Sequence, residues 1–329
     1  MARYSALSIT YKGKDISKDI SASLINFTYT DNEQGKADEI ELLLENKKGL
    51  WSGSWYPEKG SVIEAGLKLY DWNKMGEIIN VKWGRFTIDE LTMSSAGTFS
   101  MKAISEKCAG AFSTEKKCRT FENITLKDMV TKIADENNMQ LVYKAQKNTK
   151  YTKLYQLYYT DSSFIFMQAD KAGHKCKISD DKIIIYDNSI KNTGIKLKPS
   201  NISAYEFKGK TFGTYKAAEV KYFNAETGEV VTYRAEDTNI KNDSVLIIDE
   251  HAESSEEAKT IAEAELKKAN DKEITGSVSL MGNPEIFTGC QLEIADVGVF
   301  SGTYIIEKVT HSISNSQGYT TSFECYMKR

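Results

Sequence analysis

The sequence predicts a mainly β protein in which two similar β domains flank a small α+β insert. Three observations carry this expectation. Alternating apolar and polar positions dominate both ends of the chain. Helix-spaced apolar residues are confined to the middle and to one later stretch, and a hairpin-like segment near residue 84 is echoed near residue 302. Tyrosine (18) and phenylalanine (13) are plentiful against only 3 prolines, a balance that suits strands and leaves no proline-rich linker to mark a boundary.

The first domain is placed at residues 1–107. ALSITYKGKDIS and ASLINFTYTD alternate, with Lys12, Gly13 and Lys14 as a turn. ADEIELLLEN continues the pattern, and KKGLWSGSWYPEKG is a Gly/Ser-punctuated, aromatic-rich connection. SVIEAGLKLYD, GRFTIDELTMSS and GTFSMKAIS complete a set of short strands at the spacing of a sandwich or barrel.

The texture changes near Cys108, and the insert is placed at residues 108–200. Thr125 reads as an N-cap with Asp128 in the first turn, and Leu126, Met129, Val130, Ile133 and Ala134 share one helical face. A second helix is expected over DSSFIFMQADKAG, capped by Asp161 or Ser162 and ended by Gly173. HKCKISDDKIIIYD then reads as two strands about Asp180 and Asp181.

Strands return in the third part, residues 201–329. It contains a turn at Thr227 and Gly228 and the clearest helix of the chain, at about 254–270. Ser254 and Glu257 have capping-box spacing, and Ile261, Ala262, Leu266 and Ala269 form its apolar face.

The repeat is the informative feature. GRFTIDELTMS (84–94) matches GTYIIEKVTHS (302–312), aligning Gly84, Phe86, Ile88 and Leu91 with Gly302, Tyr304, Ile306 and Val309. Upstream, GSVIEA (60–65) matches GCQLEI (289–294), and GTFSMKA faces GYTTSFECYM in the same order downstream. Two copies of one β domain are the expected cause. His311 then aligns with Met93, which can shuttle no proton, and Cys290 aligns with Ser61. His311 is read as a strand residue, satisfied or exposed, rather than a catalyst.

Composition narrows the function classes. Hydrophobic residues are 40% and charged residues 27% of 329, enough for more than one core. A net charge of −3 without Lys/Arg runs argues against nucleic-acid coating. No stretch reaches a membrane-spanning length and the first residues lack a signal-peptide core, so cytoplasmic synthesis is expected. Five cysteines fit free thiols.

The histidines at 174, 251 and 311 are scattered, and His174-x-Cys176 lacks the second ligand pair of a zinc site. No nucleophile elbow, HExxH, P-loop or GxGxxG occurs. Asp89 and Glu90, adjacent on a strand, are expected on opposite faces. No catalytic residue, cofactor or metal is therefore assigned. Trp51, Trp55 and Tyr56 are read as a barrel plug or interface, with sugar stacking as the alternative. Tyr151, Tyr155, Tyr158 and Tyr159 are expected to pack inside the insert.

Three stretches in this order carry a family resemblance. They are TLKDMVTKIADENNMQL (125–141), YTDSSFIFMQADKAGHKCKISDDKIIIYD (159–187) and FTGCQLEIADVGVFSGTYIIEKVTHSISNSQGYTTSFECYM (287–327). Together they resemble the late control protein D family of contractile phage tails, which is similar to the N-terminal hub part of the type VI secretion spike. The resemblance covers nearly the whole chain, though none of the pieces is a strict motif. It implies a non-enzymatic baseplate hub, of a phage or of a headless tailocin. It implies a homotrimer whose two tube-like β domains per subunit make a ring of six between a hexameric tube and a three-fold spike.

Partners so implied are tube protein, spike, baseplate wedges and the end of the tape-measure protein, with no membrane and no specific nucleic acid. Because the chain stops after the second β domain, spike and cell-wall hydrolase are expected on other chains. Assembly is expected in the bacterial cytoplasm, followed by release in a particle. The alternatives are an adaptor of a non-contractile tail or a carbohydrate-binding or carbohydrate-active module.

Overall fold

In the first part of the chain, alternation becomes strands whose inward positions fill one core. The computed structural model describes residues 3–33, 35–224, 227–252 and 254–328; the side chains of Asn224, Glu250 and His251 lie outside the described part. β1 (Tyr4–Tyr11) turns through Lys12 and Gly13, both at positive φ, into β2 (Lys14–Asp15). A short helix unannounced by the pattern, α1 (Ser17–Ser23), buries Ile20. β3 (Leu24–Asn32), β4 (Glu39–Glu45), β5 (Val62–Tyr70), β6 (Ile78–Ser94) and β7 (Thr98–Ser105) follow. Ile9, Phe27, Leu42, Ile63, Phe86 and Phe99 are among the residues of this first core.

The insert has its own core around Phe121, Leu126, Met129, Ile133, Phe164 and Ile183. Short helices α2 (Glu106–Ala109) and α3 (Ala111–Thr114) lead into β8 (Lys116–Thr125), α4 (Leu126–Glu136), β9 (Gln140–Tyr143) and β10 (Lys150–Thr160). α5 (Asp161–Lys171), β11 (Lys175–Ser179) and β12 (Lys182–Tyr186) complete it. β8 and β10 form a separate antiparallel ribbon, while β11, β12 and β9 form a small mixed sheet. Thr125 caps α4, accepting from the Asp128 N–H. α5 is capped by Thr160, one residue before the expected Asp161 or Ser162, because the Asp161 carboxylate is drawn into the insert.

The last part runs β13 (Lys191–Leu197), β14 (Ala204–Gly209), β15 (Ala217–Asn224), β16 (Glu229–Glu236) and β17 (Val245–Ala252). α6 (Ser255–Asp271) then precedes β18 (Ile274–Met281), β19 (Cys290–Ile294), β20 (Gly302–Ser314) and β21 (Gly318–Met327). Two cores lie here. One packs Leu197, Val278, Leu292, Tyr304, Val309 and Phe323. The other packs Ile261 and Leu266 of α6, capped by Ser254, on Ala218 and Val220 of the β16-β15-β17 sheet.

One large sheet runs through both β parts in the order β14-β18-β21-β20-β3-β4-β7-β6-β5-β1-β2, with β19 beside β20 and β13 beside β19. The same arrangement occurs twice, as β3-β4-β7-β6-β5 and as β14-β18-β21-β20-β19. A row of opposed residues crosses Tyr29, Ile40, Ala103 and Ile88 in the first. The corresponding row crosses Phe207, Gly276, Cys325 and Ile306.

Each hairpin has a bulge after that isoleucine, with Asp89 and Glu307 as the extra residues. Gly60, at φ +78°, donates its N–H to the Ile88 carbonyl at 2.8 Å; Gly289, at φ +80°, donates to the Ile306 carbonyl at 2.8 Å. The two halves meet where β3 pairs with β20, Tyr29 opposite His311.

Candidate functional site

A buried cluster of interacting charge lies where three cores meet. In β11, Cys176 and Ile178 fill the insert core, so strand alternation sends Lys177 to the other face, against the end of β3. The Lys177 ammonium contacts the Asp31 carboxylate and donates to the Asn32 carbonyl at 2.8 Å and to Asp38 Oδ1 at 3.4 Å. Asp38 also accepts from the Asn32 N–H at 3.0 Å and the Tyr29 hydroxyl at 3.3 Å. Thr288, just before β19, reaches the same point. Its N–H donates to Asp31 Oδ2 at 2.8 Å and its hydroxyl to the Asp31 carbonyl at 2.7 Å. The side chains of Asp31, Asp38, Lys177 and Thr288 are all buried.

Two carboxylates face one ammonium here, and an uncompensated buried charge is costly. Burial pushes Asp38 up to about 7, against the pull of Lys177. Burial also works to lower Lys177, but Asp31 and Asp38 outweigh it and hold that ammonium above its ordinary range. Closed to solvent and fully partnered, the group fastens the insert to both β parts. Sequence reasoning missed it. Nothing local marks Lys177 in KCKIS, and its partners lie 139 to 146 positions away along the chain.

Outside this lock is a cleft of about 300 Å³ between the insert, α6 and the last hairpin. Its charges are largely spent on one another: Lys268 on Asp170 at 2.7 Å, Lys272 on Glu307 at 2.5 Å, Lys175 on Glu33 at 2.8 Å. His174 places Nδ1 2.6 Å from Asp187 Oδ1, and its Nε2 is buried without a partner. Among the described residues no cluster of His, Cys, Asp or Glu could hold a metal ion, and no helix is long and apolar enough to cross a membrane.

His311 is a strand residue, buried and bonded. Its ring lies among those of Tyr29, Trp83 and Tyr319, with Nδ1 2.8 Å from the Tyr319 hydroxyl and 3.1 Å from Thr321 Oγ1. Burial lowers its pKa to about 4, so it is neutral in the folded chain. Met93, its counterpart by alignment, is 66% exposed. Ile313 and Tyr319, flanking the turn of the second hairpin, pack into the first core, and that turn itself is exposed; on the first hairpin Thr92, Met93 and Ser94 are exposed as well.

The hairpin residues fall as follows. Phe86, Ile88, Tyr304, Ile306 and Val309 are buried, and Leu91 is half-buried. Gly84 has a φ of +115°, which Gly302 does not share; the Asp180 carboxylate of the insert lies against Gly84, and Met327 against Gly302. Asp89 and Glu90 are both exposed, since the bulge breaks the alternation that was expected to separate them. Trp51 is buried in the first core and meets Trp55 edge-on, while Trp55 and Tyr56 are exposed above it.

The tyrosine series departs from expectation. Tyr151 packs on the insert core, but Tyr155, Tyr158 and Tyr159 are exposed, Tyr158 at 75%. β10 carries a register shift between Leu157 and Tyr159, and Tyr158 sits at φ +58°. The one fully buried position of the strand is instead polar. Buried Gln156 donates to the Tyr159 carbonyl at 2.9 Å and to Asp161 at 3.1 Å, and Lys117 and Arg119 close on the same carboxylate.

With this geometry in place, comparison with known proteins defines the class. The fold matches the 43 kDa tail protein of prophage MuSo2 from Shewanella oneidensis, with a TM-score of 0.77 over 98% of each chain at 12% identity. It also matches an Escherichia coli type VI secretion component described as similar to bacteriophage T4 tail proteins, with a TM-score of 0.62 over 98% of this chain and 77% of that one at 11% identity. In sequence, the chain is 25% identical over 181 residues to a probable baseplate hub protein of Escherichia phage 186; the match covers 54% of this chain and 44% of that protein.

The chain therefore has the mainly β fold of phage tail and type VI hub proteins, in keeping with the late control protein D resemblance. It belongs to the Alg8 N-terminal domain family, whose model matches residues 80–315.

Proposed function

We propose that this chain is a structural, non-enzymatic baseplate hub of a contractile phage tail or tailocin. Three subunits would supply six β units, adapting a hexameric tube to a three-fold spike. In this reading residues 1–107 and 201–329 are the two tube-like parts, and 108–200 is the insert held between them.

The observation that carries the proposal is the doubled strand arrangement, with Gly60–Ile88 and Gly289–Ile306 bonds of equal length in one chain. Ring assembly from a doubled unit is the economical solution to a six-to-three symmetry step. The cleft's mutually paired charges suit a scaffold better than a hydrolase. Tube protein, spike, wedges and the tape-measure end are the proposed partners, met in the bacterial cytoplasm before release in the particle.

The test is the mass of the purified chain by light scattering, with imaging of particles from producing cells. A trimer with an axial channel, located at the base of the tail, is the expected result. A chain absent from particles, or one that binds wall polysaccharide as a monomer, would overturn it.

A further inference from the structure

The two copies of the strand arrangement differ at one place, and the difference points outward. β3 and β14 hold the same position, each beyond the strand next to its hairpin. Yet β3 is covered on its far edge by β20, whereas among the described residues β14 ends the sheet. Phe27 of β3 is fully buried, while Tyr205, which takes its place in β14, is 49% exposed.

The hairpins show the complementary gap. β20 pairs with β19 through Ile305 and then with β3 from Lys308 to Ser314, on the side away from β21. β6 pairs with β5 only as far as Thr87. From Glu90 to Ser94 the same side of β6 is without a strand partner among the described residues, and Met93 lies bare there. One chain thus carries one filled joint, β20 with β3, plus the two separated halves of a second.

We infer that β14 of one copy adds antiparallel to the free edge of β6 in the next copy, repeating between chains the joint that β3 makes with β20 within one. The occupant is a second copy of this chain. This deepens the hub reading and rests on it.

The internal joint fixes the register. His311 faces Tyr29 and Thr310 faces Thr30. Transferred through the matching rows, Met93 faces Phe207 of the next copy, Thr92 faces Lys208 and Ser94 faces Glu206. Glu90, in the place of Lys308, then faces Lys210, in the place of Asn32, so opposite charges meet. Because the two edges are different surfaces, the contact is head-to-tail and generates a ring when it closes.

Directly opposed strand residues lie within disulfide reach, and residues two places out of register do not. The test puts Thr92→Cys and Lys208→Cys into one full-length chain whose exposed Cys118 is changed to serine. Oxidation is followed in solution and in purified tail particles. Expected are covalent multimers limited at the ring size, formed about tenfold faster than with the off-register pair Thr92→Cys and Glu206→Cys. Glu90→Lys should weaken association about tenfold, and Glu90→Lys with Lys210→Glu should restore it.

A chain that forms rings but links no faster in register than out of register would overturn this joint and leave the hub reading intact. So would linkage of the Thr92→Cys thiol to a different protein. A chain absent from particles and monomeric at every concentration would sink both.

Discussion

Thr288 grips Asp31 twice, through its N–H at 2.8 Å to the carboxylate and through its hydroxyl at 2.7 Å to the carbonyl. These residues come from the two β parts, and Lys177 of the insert closes on the same carboxylate. Three cores are therefore fastened at one aspartate.

Thr288→Val keeps the volume and removes the hydroxyl bond, leaving the Asp31 carbonyl short of a buried donor. The expected cost is about 1–3 kcal/mol of unfolding free energy, measured by denaturant titration. Lys177→Met should cost more, about 3–5 kcal/mol, because it strands buried carboxylates. If both variants matched the parent within experimental scatter, the junction would not be what fastens the parts.

Asp38 and His311 predict opposing pH dependences. Asp38 has a folded pKa of about 7 against an ordinary 3.8, so the unfolded chain loses its proton first. That group's contribution falls as pH rises from about 4 to about 7 and is constant above. His311 has a folded pKa of about 4 against 6.5, so the unfolded chain takes up the proton first on acidification. Its contribution is complete above about 6.5 and is lost as pH falls towards about 4.

Each slope is about 1.4 kcal/mol per pH unit, and they nearly cancel between about pH 4.5 and 6.5. Relative to the parent, Asp38→Asn should expose the histidine, with stability rising with pH. His311→Gln should expose the aspartate, with stability falling with pH. Parallel pH profiles for all three chains would refute both assignments.

Gly60 and Gly289 share a positive φ but not their surroundings. A methyl on Gly60 meets nothing within 4 Å, so Gly60→Ala should cost only its backbone strain, about 1–2 kcal/mol. A methyl on Gly289 would stand 2.8 Å from Ile190 Cδ1 and 2.9 Å from the Tyr186 hydroxyl, so Gly289→Ala should cost about 1–3 kcal/mol beyond that. Equal melting-temperature losses for the two variants would contradict this.

Val309→Asp places a charge in a fully buried position of the third core, whereas Leu91→Asp places one at a half-buried counterpart. The first should abolish soluble folded chain, and with it particle assembly. The second should leave a folded chain, with a loss of about 1–2 kcal/mol in the same denaturation assay.

Much of the local structure was legible. Leu126, Met129, Val130 and Ile133 recur at helical spacing, and their helix begins after the Thr125 cap. The letters of GRFTIDELTMS and GTYIIEKVTHS align Ile88 with Ile306, two residues that accept equivalent glycine bonds in the fold. α1 was not legible, because Ser17–Ser23 is a short polar segment with one buried residue, Ile20. Tyr155, Tyr158 and Tyr159 misled because tyrosine is apolar enough to read as core. Tyr155 faces outward because its neighbour Gln156 takes the buried side, and Tyr158 and Tyr159 lie at a bulge beside the Gln156–Asp161 bonds, which no periodicity encodes.

The sequence by itself determined the strand-rich character, the three substantial helices, the repeat and the lack of a recognisable reactive motif. These properties rest on nearest neighbours along the chain, on alternation and on helical spacing. Only the tertiary structure decided that His311 is buried while Met93 is bare, and that Lys177 meets Asp31 and Thr288. It also decided that, among the described residues, β14 and the last part of β6 keep free edges. Burial and strand pairing join residues hundreds of positions apart, and matched positions of the repeat acquire opposite environments according to which strand lies alongside them.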